Sequence, residues 1–167
     1  MNEKSIGFRV TPAEIFFAII DNQENDYEFI SISSLKIPVS LDEPYKLSFV
    51  RNTILTIINQ FKIQYAGIKL IEGNARNSIN NNMIFRFKAE GVLMEIFANS
   101  SIKSYFLGIS QNIASVLEIE ICKTQEMLDS IIDTSILLND NGKKITGEAK
   151  EAMLVGLAAL EVGLKNE

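Results

Sequence analysis

The stretch AGIKLIEGNARNSINNNMIFRFKAEG, residues 66–91, joins an apolar segment, one carboxylate and an Asn-rich loop that leads into a helical pattern. Residues 66–71 alternate little and are too few for a helix, so they predict a central strand that is buried on both faces. Glu72 follows at the end of this strand. A carboxylate in that position indicates either a metal-binding or reacting group or a solvated strand end.

The chain before this stretch carries strand patterns and one helix pattern. Apolar residues 6–20, the polar turn DNQEND at 21–26 and the alternating residues 27–37 predict a hairpin and leave open a third strand. Apolar residues then recur at helical spacing from Leu47 to Phe61, which predicts one amphipathic helix. A parallel crossover to the strand at 66–71 follows from this order.

The chain after this stretch is mainly helical. A second helix is predicted to bury one apolar stripe, consisting of Ile84, Phe87, Gly91, Met94 and Ala98. A short strand is predicted at residues 102–107 and mostly helix at 110–138, before the polar segment LNDNGKK. Thr146 is expected to cap a last helix through Leu164, whose small apolar side chains suit close packing on a sheet. The order ββ(β)αβαβαα predicts an α/β layered fold.

Composition excludes several classes of function. The 167 residues suit one domain, and 16 Lys and Arg against 21 Asp and Glu give a formal charge of -5. This charge argues against a general electrostatic hold on nucleic acid or anionic membrane. The absence of His excludes imidazole catalysis, and the single Cys122, expected to be buried, excludes an internal disulfide. No signal pattern or membrane-spanning run is present, so we expect a cytoplasmic protein.

Several of these features together resemble the RNase H-like superfamily, in its branch of RuvC-like Holliday-junction resolvases. They are Glu72 at a strand end, Asn80 to Asn82 in the loop, the helical triplet at residues 89–91, and Glu148 with Glu151 in the last helix. The resemblance extends from Ile6 to about Leu160. The chain also resembles an uncharacterised family of small bacterial RNase H-like proteins, from which no activity can be transferred.

The resemblance implies a site for two metal ions at which carboxylates converge from the first strand, the fourth strand and the last helix. Two Mg²⁺ ions about 4 Å apart would clamp the attacking and leaving oxygens of a phosphodiester. Glu72, Glu148 and Glu151 match three of the four acids that the family uses. Arg9 stands where the first-strand Asp is expected, and a guanidinium cannot bind a metal ion. We therefore predict that two-metal catalysis is lost.

Arg9 then has two interpretations. In the first, Arg9 forms a charge pair with Glu72, with Glu148 or Glu151 nearby, so that a permanent cation replaces the metal. In the second, Arg9 points to solvent and Glu72 only caps the following loop.

Other residues offer weaker signals for nucleic acid. Arg76, Arg86, Lys88 and Lys103 form either a basic strip beside the site or scattered solvated charges. The aromatic side chains Phe16, Phe17, Phe85 and Phe87 are either stacking platforms for bases or core residues. Residues 110–125 carry Glu118 and Glu120, which weakens a role in holding DNA.

We predict a single RNase H-like domain over residues 1–167, with a mixed five-stranded sheet flanked by helices. The favoured function is a non-catalytic scaffold or interaction module without a cofactor, whose partner is an unknown protein or a second copy of the chain. The alternative is a nuclease that acts on structured nucleic acid with Mg²⁺ or Mn²⁺ bound by Glu72, Glu148 and Glu151. A small-ligand site near residues 80–82 is a third interpretation.

Overall fold

The computed structural model describes residues 3–23, 26–72 and 80–166, and it shows a mixed five-stranded sheet with helices on both faces. The strands are β1 (Glu3–Val10), β2 (Glu14–Gln23), β3 (Asp26–Lys36), β4 (Tyr65–Lys69) and β5 (Ser104–Gly108). Their order across the sheet is β3-β2-β1-β4-β5. β1 to β3 form an antiparallel meander, and β4 runs parallel to both β1 and β5. The predicted α/β class and sheet are therefore confirmed.

Residues 6–20, which the sequence pattern did not divide, contain two strands and not one. A tight turn separates β1 from β2, in which the backbone N–H of Thr11 donates to the carbonyl of Glu14 at 3.0 Å. The Thr11 hydroxyl also donates to this carbonyl at 2.7 Å. Because apolar residues continue on both sides of this short turn, hydrophobic pattern alone did not mark it. The third strand that the pattern left open is present.

The helices form two layers, one on each face of the sheet. α1 (Glu43–Phe61) and α2 (Asn81–Ala98) pack on one face, and α3 (Ser110–Leu117), α4 (Thr124–Asp129) and α5 (Gly147–Lys165) pack on the other. Each face has its own apolar core because the central strands β1 and β4 are buried on both sides. Within the described ranges, no helix combines the length and apolar character needed to cross a membrane.

α5 lies unusually close to β1, as its small side chains predicted. A Cβ atom added to Gly7 would lie 2.0 Å from the carbonyl oxygen of Ala152 and 2.4 Å from the backbone nitrogen of Gly156. The Ser5 hydroxyl donates to the carbonyl of Gly156 at 2.8 Å. This contact holds the middle of α5 against the middle of β1.

Residues 110–138 are less helical than predicted. α3 ends at Leu117, the capping residue Glu118 adopts a left-handed conformation with φ 56°, and α4 covers only six residues. The segment after α4 is irregular and returns to the sheet through Asp140, whose carboxylate accepts hydrogen bonds from the Ile32 backbone and the Ser31 hydroxyl. The apolar residues of this region therefore belong to an irregular segment that packs on the core, and they do not form one continuous helix.

The predicted inner face of α2 is wrong. The five positions predicted to be buried are all exposed, namely Ile84, Phe87, Gly91, Met94 and Ala98. The buried face consists of Arg86, Ala89, Glu90, Leu93, Ile96 and Phe97. Both faces of this helix carry apolar residues, so apolar spacing alone did not show which face is buried. The buried face also carries two charged residues, at 86 and 90, which made it look exposed. Cys122, expected to be buried, is also exposed.

Candidate functional site

Arg9 lies at the carboxyl end of β1 and forms an ion pair with Glu151 in α5. Its Nε donates to a carboxylate oxygen of Glu151, and its Nη1 donates to the carbonyl of Val10 at 3.1 Å. Both side chains are mostly buried, with 19% of Arg9 and 23% of Glu151 exposed. Arg9 therefore neutralises Glu151, one of the two candidate acids of the last helix.

Glu72 has different partners from those predicted. Its Oε1 accepts hydrogen bonds from Lys69 Nζ at 2.9 Å and from the Ser110 backbone N–H at 3.1 Å, and it also accepts one from the Ser110 hydroxyl. The pair between Arg9 and Glu72 that the first interpretation expected is not formed. Arg9 pairs with Glu151, and Glu72 pairs with Lys69. Glu72 instead links the end of β4 to the first residue of α3.

These contacts keep Glu72 ionised. The hydrogen bond from the Ser110 hydroxyl, followed by that from Lys69, lowers the pKa of Glu72 to about 2. Lys69 is almost completely buried, whereas 49% of the Glu72 side chain is exposed. At neutral pH this carboxylate is a fixed anion whose charge is already matched by the ammonium of Lys69.

Glu148 lies in the first turn of α5 and is exposed. It is one helical turn from Glu151, but it is not part of the ion pair that Glu151 forms with Arg9. Asn80 caps α2, because its side chain accepts a hydrogen bond from the Met83 backbone N–H at 3.0 Å. The residues at 80–82 therefore begin a helix.

A second charge pair, which the sequence interpretation missed, lies beside the first. Arg86 Nε donates to Glu90 Oε1 at 2.8 Å, and only 10% and 5% of the two side chains are exposed. Burial lowers the pKa of Arg86, and the nearby positive charge of Arg9 acts in the same direction, while Glu90 and Glu151 oppose the shift. We call Arg9, Glu151, Arg86 and Glu90 the charge quartet. Its signal in the sequence was an Arg and a Glu four residues apart on the face that also carries Ala89 and Leu93.

Of the two interpretations of the basic residues 76, 86, 88 and 103, the described members do not support a basic strip. Arg86 is buried in the charge quartet, and Lys88 forms an exposed ion pair with Glu43. Lys103 precedes β5 and so lies at the opposite end of the parallel strands from the site. Arg76 lies outside the described residues.

The four aromatic residues weighed as stacking platforms lie mainly in the cores. Phe17 is buried, and Phe16 and Phe85 are partly buried and pack against the two apolar cores. Phe87 differs because 46% of it is exposed. The core interpretation therefore holds for three of the four.

The residues of this site do not fit a pair of metal ions. Over residues 3–23, 26–72 and 80–166, no three acidic or cysteine side chains converge in a way that could hold a cation. Glu151 is paired with Arg9, Glu72 with Lys69, and Glu90 with Arg86. A divalent cation needs several carboxylate oxygens in the space that the guanidinium groups of Arg9 and Arg86 share with their partners.

Comparison with known proteins supports the fold but gives no relative by sequence. No family model and no curated protein sequence matches the chain. Among solved structures, RuvC of Thermus thermophilus superposes with a TM-score of 0.76 at 8% identity, covering 98% of this chain and 96% of RuvC. The same protein in complex with a Holliday junction substrate gives a TM-score of 0.72 at 8% identity, with 97% and 96% covered.

A resolvase of another organism gives the same result. The yeast mitochondrial Holliday junction resolvase Ydc2 superposes with a TM-score of 0.61 at 14% identity, covering 96% of this chain and 80% of Ydc2. The chain therefore has an RNase H-like fold of the RuvC type. At these identities the comparison establishes architecture, and any activity has to be argued from this chain's own residues.

Proposed function

We propose that this protein is a non-catalytic member of the RuvC type of fold, in which the charge quartet stands where a metal centre would be, and that it acts as an interaction module. The observation that carries the proposal is the ion pair between Arg9 and Glu151. An arginine is protonated at every physiological pH, so the cation at this position is permanent.

Electrostatics supports this proposal over the metal-dependent alternative. To bind Mg²⁺ or Mn²⁺, Glu151 would have to leave Arg9, and Glu72 would have to leave Lys69 and Ser110. The incoming cation would then face the guanidinium groups of Arg9 and Arg86, of which the first already helps to lower the pKa of the second. Removing a buried or partly buried carboxylate from its partner is costly, and the repulsion adds to that cost.

Cleavage assays test this proposal directly. We expect the protein to leave branched DNA, single-stranded DNA and RNA–DNA hybrid intact in the presence of Mg²⁺ or Mn²⁺. RuvC of Thermus thermophilus, whose structure was determined with a Holliday junction substrate, is the positive control. Cleavage by the wild type that disappears in Glu72→Gln would establish the nuclease alternative and refute the proposal. Binding of a junction without cleavage would identify nucleic acid as the partner.

The exposed face of α2 supports a role in self-association. Ile84, Phe87 and Met94 expose 38%, 46% and 39% of their surface along this face, and Gly91 lies between them. A Cβ added to Gly91 would meet no atom within 4 Å, so another helix can approach the backbone closely there. Tyr105 extends the apolar surface towards the edge of the sheet. We call this surface the α2 face.

The charges beside Gly91 are already paired within the chain. Lys88 and Glu95 are exposed, and they form ion pairs with Glu43 and Arg51 of α1. An antiparallel pair of α2 helices related by a two-fold axis near Gly91 would therefore be held mainly by its apolar side chains. An isologous dimer of this kind also brings the two Phe87 side chains out of water.

Self-association through the α2 face can be tested by sedimentation velocity. We expect the wild type to form dimers, and we expect Phe87→Glu and Met94→Glu to shift the equilibrium to monomers because each places an anion in the apolar contact. Val39→Glu is the matched control, since Val39 is 91% exposed and lies outside this surface. A wild type that stays monomeric at high concentration would contradict the dimer.

A further inference from the structure

A separate cleft lies between the β2–β3 hairpin and the irregular segment that follows α4. It has a volume of about 790 Å³ and is bordered by Asp26 to Phe29 on one side and by residues 131–137 on the other. It lies away from the charge quartet, and none of the residues that line it belongs to α2. We call it the hairpin cleft.

The charged residues of the hairpin cleft are all acidic. Asp26, Glu28 and Asp133 line it, and no Lys or Arg is among its described lining residues. Hydrogen bonds from Ser135 lower the pKa of Asp133, so this side chain is an anion at neutral pH. A smaller cleft of about 290 Å³ shares Tyr27 and Ile131 with it and continues the surface.

The smaller cleft also carries more acidic than basic side chains. Glu118 and Glu161 line it together with one cation, Lys165, which lies 3.5 Å from Glu118. Tyr27 donates a hydrogen bond to Glu161, and burial with this bond raises the pKa of Tyr27 to about 12. The tyrosine is therefore neutral, and the two clefts together form a surface with a clear excess of negative charge.

Between these acids the hairpin cleft has an apolar wall. Phe29, Ile131, Ile132 and Leu137 form its wall, and Ile136 stands at its margin with 81% of its surface exposed. A large aliphatic side chain exposed beside a concave apolar wall is a common feature of surfaces that bind other proteins. The acidic margin excludes an anionic polymer such as nucleic acid, because like charges would meet across the contact.

We infer that the hairpin cleft binds a cationic, amphipathic segment of a partner protein. Apolar side chains of that segment would cover Ile136 and the wall around Phe29, and its Lys or Arg side chains would face Asp26, Glu28 and Asp133. Charge complementarity selects this class of partner. The inference does not depend on the function proposed for the charge quartet, because the two sites share no residue.

A fluorescent probe beside the cleft tests the inference. An environment-sensitive dye is attached to Ile136→Cys in a Cys122→Ser background, and a short peptide of alternating Leu and Lys is titrated. The matched peptide of alternating Leu and Glu controls for charge, and the same dye at Val39→Cys controls for general adsorption. We expect a saturable blue shift at position 136 with the cationic peptide and none with either control.

Unlabelled variants test the named residues. In fluorescence polarisation with the labelled cationic peptide, we expect Asp26→Asn combined with Asp133→Asn to weaken binding by about fivefold, since two exposed charge pairs are lost. Ile136→Ser is expected to weaken binding by about tenfold through lost apolar contact, and Asp42→Asn is the matched control. Equal responses at positions 136 and 39, or binding unaffected by these cleft variants, would overturn the inference. A dye signal that depends on protein concentration without peptide would also overturn it and identify a second copy as the occupant.

Discussion

Gly7→Ala is expected to lower the free energy of unfolding by about 3 kcal/mol or more. The added methyl group would lie 2.0 Å from the carbonyl oxygen of Ala152 and 2.4 Å from the nitrogen of Gly156. Both are backbone atoms of α5, so no side-chain rotation relieves the overlap, and the helix has to move away from β1. Urea denaturation followed by circular dichroism measures the loss.

Gly147→Ala is the matched control for this substitution. Gly147 lies in the first turn of α5, and a Cβ there meets no atom within 4 Å. Alanine is the better helix former, so we expect this variant to lose no stability. If Gly7→Ala were as stable as the wild type, the close packing of α5 on β1 that positions Glu151 next to Arg9 would be wrong.

Arg86→Met is expected to be destabilising by about 3–5 kcal/mol, because it leaves the carboxylate of Glu90 buried without its partner. Glu90 is only 4% exposed, and its ion pair with Arg86 is 2.8 Å long. Methionine fills much of the volume of the arginine stem. The loss of stability is therefore due to the removed charge and not to a cavity. The same denaturation measurement applies.

Two further variants separate burial from pairing. Arg51→Met breaks an ion pair with Glu95 of 3.1 Å in which both side chains are exposed, and we expect it to cost much less stability than Arg86→Met. The double variant Arg86→Met with Glu90→Leu removes both charges and is expected to recover most of the loss. If Arg86→Met cost no more than Arg51→Met, the charge quartet would not be a buried structural element.

The sequence predicted the architecture because its patterns were local. The apolar run at β4, the helical spacing of α1 and the small residues of α5 each reflect packing on the sheet. The presence of a cation, Arg9, near the end of the first strand was also visible in the sequence. The exposed face of α2 was mistaken for the buried one because this helix is apolar on both faces. Charged residues such as Arg86 and Glu90 are also rarely found on a buried helix face.

The partners of the site residues depend on distant elements. In the parallel register, Lys69 lies opposite Gly108, so Glu72 and Ser110 both follow strand ends at the same edge of the sheet. Glu151 meets Arg9 because Gly7 and Gly156 let α5 approach β1. Spacing along the chain indicated which charges come near this edge, but not how they pair, since the register and the helix position set the pairs.

Calorimetric titration with Mn²⁺ tests most directly whether the charge quartet occupies the place of a metal centre. We predict no saturable binding by the wild type and identical titrations for Glu72→Gln and Glu151→Gln, because Lys69 and Arg9 already neutralise these acids. Saturable binding of Mn²⁺ by the wild type that is lost in either variant would contradict the account.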